Sequence, residues 1–523
     1  MKRQSSSIRG GTSVLLAVEL LLVCASVLAT RCANYRDVFI GHEIYFTDAD
    51  CYARMTRARI CFEHPGTIVR RHAFENYPDG ISPHTTAPLD YLIVAVAEAI
   101  RPFSSNPLDL AGATVSPFLA LAGGVFLWWW ARWLVLPFRP ALLFIYAASP
   151  LLSHSSELGR PDHQSFVVFL VLVAMCSELS LQRIPSRAWG IAAGAAWGIA
   201  LWVSLYEPLL LLAVVLVSYA IASRQNFTAL HRRAGWLVMF CILVVAFAIE
   251  QRLPHWGGID RQVFLRWAAT VGELRHVPLV SRAWLDWCGY LVIGAPVLLA
   301  IGYRKQKTSP TLIALAMVSF CLTIWQVRWG YFFVLFFALL TPTILAAFNR
   351  RAVAALAFVV AIMPILSAWD ETLWPGEATR ALRIERRVEL PQLRAAAALL
   401  SGQQPGAVLA PWWLSPAISY WSRHEMVAGS SHESLTGTLD SARFFVSSDP
   451  ELAKAILQRR KVRWVLAYDA GRTVLNSAAI LGLHAPEKPL ASVLDRTPSS
   501  APPFLAPFYQ NAACKLFKVE TIR

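Results

Sequence analysis

Charge is what this sequence has least of. Asp, Glu, Lys and Arg make up 15% of its 523 residues, against 56% hydrophobic ones, and the mean hydropathy is +0.46. A soluble chain of this length must cover a large surface with polar groups, so a soluble globular fold is excluded. Acids are the scarcer sign, 33 against 48 Lys and Arg. That basic excess is no nucleic-acid footprint, because many of the cations fall in short clusters between apolar runs. The nine cysteines lack CxxC or Cys/His spacing, so the spacing predicts no zinc site. Cys24, Cys176, Cys241 and Cys321 lie inside apolar runs and read as small core residues. Cys32, Cys51 and Cys61 share one polar loop, where a disulfide is open but unassigned. Also missing is the alternating pattern of a membrane barrel, so the spans are helices.

What is present is a series of apolar runs long enough, or nearly so, to cross a bilayer. They fall near 12–30, 111–136, 140–154, 164–181, 188–205, 208–222, 234–250, 284–303, 311–327, 329–348 and 352–369, which predicts about 11 transmembrane helices. The run after Lys2, Arg3 and Arg9 reads as a first anchor rather than a cleaved signal, because it is nearly long enough to span. Twenty Trp and twenty-seven Phe suit helices anchored at the interfaces. With the amino end inside, the inner loops carry Arg132 to Arg139, Arg183 with Arg187, Arg224 to Arg233, Arg304 with Lys305 and Lys307, and Arg350 with Arg351. Five basic loops in succession are the positive-inside pattern. The chain is thus read as an all-α polytopic protein of the cell inner (cytoplasmic) membrane. It divides into a transmembrane domain, 1–369, and a small C-terminal extracytoplasmic α/β domain, 370–523. The tail predicts helices at Leu382–Leu400 and Pro450–Lys461, a strand at Val462–Tyr468, and a surface loop at Pro486–Pro507.

The outer loops, 31–110, 155–164 and 251–283, hold nearly all the candidate chemistry. Asp48 and Asp50 follow the first span; carboxylates there can hold a hard divalent cation, or be ordinary solvated acids. Glu157, Arg160, Asp162 and His163 crowd a short turn, with oxygen and nitrogen ligands and a phosphate contact. Asp162 equally suits the amino-terminal cap of the following helix. Glu273 lies in a later outer loop, where a solvated acid is the plainer reading. Arg328 ends an apolar run on the outer side, where it either snorkels or pairs with an anionic head group. The turn-rich stretch Glu75–Ile81 and Ser82–Leu89 precedes another apolar run. In the tail, Trp412 and Trp413 form a pair that serves as core strand, interface anchor or binding surface.

These pieces, in this order, resemble the GT-C membrane glycosyltransferases, and most closely the catalytic subunit of oligosaccharyltransferase. Asp50-Cys51-Tyr52-Ala53-Arg54 looks like the family's first-loop motif of Asp, aromatic and Arg. Asp162-His163-Gln164 is similar to its Asp-His-His motif, and Thr270-Val271-Gly272-Glu273 to its Ser/Thr-Val/Ile-x-Glu motif. Trp412-Trp413-Leu414-Ser415-Pro416 stands where the family has Trp-Trp-Asp-Tyr-Gly. The resemblance runs from about residue 36 to 470 and implies a GT-C-like fold.

It also implies transfer of a sugar or oligosaccharide from a polyprenyl-phosphate or diphosphate carrier to a protein or glycan acceptor on the extracytoplasmic side. Mg²⁺ or Mn²⁺ would be held by Asp50, Asp162, His163 and Glu273, with Asp50, Asp162 and Glu273 as catalytic acids. Arg328, Arg160, Asp48, Trp412 and Trp413 would bind substrate, and membrane lipid but no nucleic acid would be a partner. Leu414 departs from the pattern: leucine cannot accept the hydrogen bond that the family's Asp takes from a Ser/Thr acceptor. That substitution favours a second reading, a monosaccharide transferase of the same class acting on lipid or cell-wall glycan. A non-enzymatic glycolipid transporter or assembly factor is disfavoured, because transport calls for ionisable groups near the bilayer midplane.

Overall fold

The computed structural model describes residues 5–222, 229–252, 260–304 and 309–520. Lys2, Arg3, Arg224, Lys305 and Lys307, all counted in the charge pattern above, lie outside the described residues. The chain forms two compact units. One comprises Met1–Tyr35, Thr114–Ile249 and His276–Gly376; the other comprises Arg36–Ala113, Glu250–Arg275 and Glu377–Arg523.

The first unit is built of helices, as a bilayer requires when backbone N–H and C=O groups have no water to bond. Among the described residues, six helices are long and apolar enough to cross a membrane: Val14–Arg31, Pro107–Trp133, His163–Arg183, Leu230–Glu250, Val327–Leu345 and Arg351–Leu373. Four shorter apolar helices, among them Tyr206–Ile221 and Pro310–Trp325, join them. Gly330–Leu345 lies at the centre: Phe332, Phe336, Leu335 and Ala338 are fully buried. Other helices turn apolar side chains outward, such as Leu237 and Phe240 on Leu230–Glu250. Cys241 and Cys321 belong to that exposed set, so they are not the core residues their apolar runs suggested. No disulfide occurs among the described residues; Cys51 and Cys61 are buried free thiols, and burial pushes the Cys61 thiol up to about 12.

One contact explains how Leu230–Glu250 and a further apolar helix, Arg187–Val203, come together. Gly190, Gly194 and Gly198 recur every four residues along Arg187–Val203 and so form a stripe on one face. A Cβ on Gly194 would lie 2.0 Å from the Gly235 carbonyl oxygen, and one on Gly235 would lie 2.2 Å from the Gly190 carbonyl oxygen. Only hydrogen side chains allow this backbone approach, which replaces the hydrophobic drive that lipid does not supply. Gly194→Ala is therefore expected to cost about 1–3 kcal/mol by overpacking, read as a lower melting temperature of the purified protein. An unchanged melting temperature would show that the helices can part freely.

The second unit combines helices with a small sheet. Phe39–Ile40 (β1) and Glu43–Ile44 (β2) make a short antiparallel pair. The main sheet holds Ala407–Leu409 (β3), Val462–Tyr468 (β4), Leu505–Gln510 (β5) and Cys514–Val519 (β6), in the order β3-β4-β6-β5. β3 is parallel to β4, and the other pairings are antiparallel. Alternation along β4 sorts its side chains between two cores. Trp464, Leu466 and Tyr468 meet Leu393, Ala396 and Leu400 of the helix Glu377–Ser401. Val465 and Ala467 meet Phe444, Phe445, Ile456 and Leu494 from helices on the other face. The predicted β4 and the predicted helices are present. Pro486–Pro507 is not a surface loop: it contains the helix Leu490–Arg496 and enters β5, and Leu490, Ala491 and Leu494 are buried.

The first-loop portion of this unit is held by ions. Arg54 and Arg57, on the helix Ala49–Glu63, reach one carboxylate, Asp90, at 2.7 and 2.6 Å. All three are buried, so each charge depends on the others.

Candidate functional site

The first unit carries its polar cluster around the start of His163–Arg183. Asp162 is the cap of that helix: its Oδ1 accepts the His163 backbone N–H at 2.7 Å and lies 2.7 Å from His163 Nδ1. The cap thus fixes the position of the side chain that the sequence offers as a candidate ligand. Arg328 follows Pro310–Trp325 in a single 3-10 turn and makes an ion pair with Glu207, the first-turn acid of Tyr206–Ala222. Glu207 is 1% exposed, and its second oxygen accepts from Ser204 Oγ at 2.7 Å. Arg328 also lies over the Tyr206 ring. His163 is within electrostatic reach of both Glu207 and Arg328. The structure therefore brings Asp162, His163 and Arg328 together, with a fourth member, Glu207, that the sequence alone does not single out.

Arg160 is nearly buried and engaged inside its own turn. Its Nε donates to Glu157 Oε1 at 3.0 Å, and its Nη2 lies 3.1 Å from His154 Nε2. Because a guanidinium only donates, His154 Nε2 accepts and Nδ1–H faces Tyr331 Oη at 3.0 Å. Gly159, at φ +76°, supplies the left-handed bend that lets this turn close.

The remaining predicted site residues lie in the second unit. Asp48 caps the helix Ala49–Glu63, accepting Cys51 N–H at 3.0 Å, and Asp50 sits exposed in its first turn, where the helix dipole favours an anion. Glu273 lies in the short turn Gly272–Leu274, half-buried. Trp412 donates its indole N–H to Asn476 at 2.7 Å and packs near Trp267 and Trp413, so it belongs to the unit's aromatic packing. Leu414 and Trp413 pack against the apolar cluster under the sheet.

Within electrostatic reach of Asp50 stands a relay of buried ionisable groups, of which the sequence marks only Glu75, in the turn-rich stretch Glu75–Ile81. Arg57 Nη1 lies 2.9 Å from His72 Nε2, and His72 Nδ1 contacts Glu75 Oε1. Arg57 donates to Nε2, so His72 carries its proton on Nδ1 and donates that N–H to Glu75 Oε1. Burial, with the nearby arginines, holds His72 well below its usual range, hence neutral. Burial, then the charges of Glu433 and Asp50, raises Glu75 to about 8. Its Oε2 has no hydrogen-bond partner among the described residues, and a Cβ on Gly429 would lie 1.8 Å from it. The raised value has a definite sign in stability. Folded Glu75 keeps its proton while the unfolded chain releases it above about 4.5, so the stabilisation present in acid is lost as pH rises toward 8. Glu75→Gln, which mimics the protonated form, is expected to flatten the fall in melting temperature between pH 5 and about 8. A slope equal to that of the parent would assign the effect to other groups.

A second acid lies within electrostatic reach of Glu75. Glu433 Oε1 accepts the His84 backbone N–H at 2.8 Å and lies 2.9 Å from His84 Nδ1. Burial alone would raise Glu433, but His84 and His432 bring it down to about 2.

No family model and no curated protein sequence matches the chain. Among solved structures it is similar to the archaeal oligosaccharyltransferase AglB from Archaeoglobus fulgidus, in complex with an inhibitory peptide and a dolichol-phosphate. That likeness has a TM-score of 0.69 at 15% identity and covers 98% of this chain and 75% of that one. ArnT from Cupriavidus metallidurans gives 0.52 at 15%, covering 98% of each chain. The arabinofuranosyltransferase AftD from Mycobacteria gives 0.55 at 13%, covering 96% of this chain and 40% of that one. The fold is that of the GT-C glycosyltransferases, in an oligosaccharyltransferase-like form.

Proposed function

We propose that this chain is a multi-pass membrane glycosyltransferase that moves a sugar or oligosaccharide from a polyprenyl-phosphate or diphosphate carrier to an extracytoplasmic acceptor. The observation that carries this reading is the cluster of Asp162, His163, Glu207 and Arg328 in a GT-C fold. An acid and an imidazole whose ligand atoms lie 2.7 Å apart fit a divalent cation, and Mg²⁺ or Mn²⁺ there would offset charge on a leaving phosphate. Arg328 is the neighbouring cation for a phosphate oxygen, and Glu207 sets the guanidinium's direction. Asp162 holds its oxygen at the helix start through the cap, so it needs little reorganisation. Asp50 and Glu273 are the candidate acids of the second unit, and Asp48 is chiefly a cap there.

The lipids bound by the neighbours support a lipid-linked donor: dolichol-phosphate for AglB and undecaprenyl phosphate for ArnT. An oligosaccharyltransferase-like activity on a protein acceptor follows the order of the motifs. Leu414 favours the second reading, a monosaccharide transferase acting on lipid or cell-wall glycan, and so does the ArnT likeness, which spans both chains almost fully. The test is to incubate purified protein with polyprenyl-linked sugars, peptide and glycolipid acceptors, and Mg²⁺, Mn²⁺ or chelator. Cation-dependent consumption of donor is expected, and the acceptor that gains sugar decides between the two readings. Donor untouched under every condition would sink both.

A further inference from the structure

We propose that His84, His432 and Glu433 form a transition-metal site, of the two-imidazole, one-carboxylate kind that takes Zn²⁺, separate from the residues assigned to sugar transfer. All three belong to the second unit. His84 sits in the turn-rich stretch before the helix Ala87–Ile100, and His432 and Glu433 form the short turn before Leu435–Val446. One ligand atom from each lies within 4.8 Å of the other two. The pair distances are near what a single ion demands. Glu433 Oε1 is 2.9 Å from His84 Nδ1, and Glu433 Oε2 is 3.4 Å from His432 Nδ1. Bonds of about 2.0–2.2 Å in tetrahedral array put donor atoms about 3.3–3.6 Å apart. The two rings lie nearly parallel with centroids 5.4 Å apart, and Phe264 stands edge-on to His432, which fixes the ring's orientation.

The donor set decides the class of ion. Two imidazoles and one carboxylate suit Zn²⁺ and its neighbours, whereas Mg²⁺ and Ca²⁺ prefer six or more oxygens. Three protein ligands leave a fourth position to water. Glu433 Oε2 is a buried oxygen with no hydrogen bond among the described residues, His432 Nδ1 standing 3.4 Å away, so an ion between the two would satisfy it. The cysteine spacing that predicted no zinc site bears only on sulfur ligands. Imidazole and carboxylate donors 349 residues apart leave no local spacing to read. An ion here would join the first-loop segment to the tail segment, adding a strong cross-link to a stretch otherwise free of regular structure.

The experiment uses the full chain in detergent, stripped with chelator and titrated with Zn²⁺ and with Co²⁺ as a spectroscopic reporter. A saturable site is expected, with two imidazoles per ion by X-ray absorption on the unmutated protein. His84→Asn and His432→Asn should each weaken Zn²⁺ by at least about tenfold, since even outer-shell losses cost that much. Glu433→Gln should do the same, while Asp162→Asn should leave this site filled. Zn²⁺ binding that survives both histidine variants overturns the proposal, as does the absence of any Zn²⁺ site or an imidazole count below two. If donor consumption fails but this titration succeeds, the metal site stands without the proposed activity. The reverse pattern leaves the transferase reading intact and removes this one.

Discussion

Asp162→Asn is expected to lower consumption of lipid-linked sugar by about 10²–10³-fold, the loss that follows removal of one preorganised electrostatic contact. It should leave the melting temperature almost unchanged. The two readouts separate because Asn caps a helix about as well as Asp. The oxygen that accepts the His163 backbone N–H at 2.7 Å is kept, and only the negative charge beside His163 Nδ1 is lost. Asp162→Ala removes cap and charge together and should add roughly 1 kcal/mol of destabilisation to the same kinetic defect. The measurement is a rate per folded protein at saturating Mg²⁺ or Mn²⁺, beside a melting curve. Asp162→Asn turning over at the parental rate would reduce Asp162 to a cap, and the metal assignment of this helix start would fall with it.

Much of the fold is legible because its signals are periodic. Long apolar runs can only be helices in lipid, and Val462–Tyr468 carries the short β-rich pattern of a strand with both faces covered. Composition misled at Pro486–Pro507, where prolines sit at helix and strand starts and leave Leu490 and Leu494 free to pack. The glycine stripe Gly190, Gly194 and Gly198 was hidden inside an apolar run, since span length says nothing of which face meets a neighbour. Site residues followed a similar rule. Asp162 and His163 stand out because they are adjacent in sequence and in space. Glu207 did not, because one acid opening an apolar helix looks like a solvated turn until Arg328, 121 residues away, is seen beside it. Glu75, His84 and Glu433 stayed unassigned for the same reason: their meaning is a long-range juxtaposition.

The Arg328–Glu207 pair gives the sharpest test of whether that arginine is a strut or a ligand. Arg328→Gln leaves the Glu207 carboxylate buried with the Ser204 hydroxyl still donating to it, and breaking a buried pair in this way costs about 3–5 kcal/mol. Glu207→Gln should cost less, because Arg328 is 20% exposed and can turn toward water. The double variant removes both charges and should recover most of the stability lost in Arg328→Gln, since no uncompensated ion remains. Activity is expected to follow another pattern. Glu207→Gln keeps the guanidinium and should retain measurable transfer with a raised KM, as the cation loses its fixed direction. Both variants lacking Arg328 should lose transfer however well they fold. Activity that recovers with stability in the double variant would make Arg328 a structural partner of Glu207, and the phosphate would then need another cation.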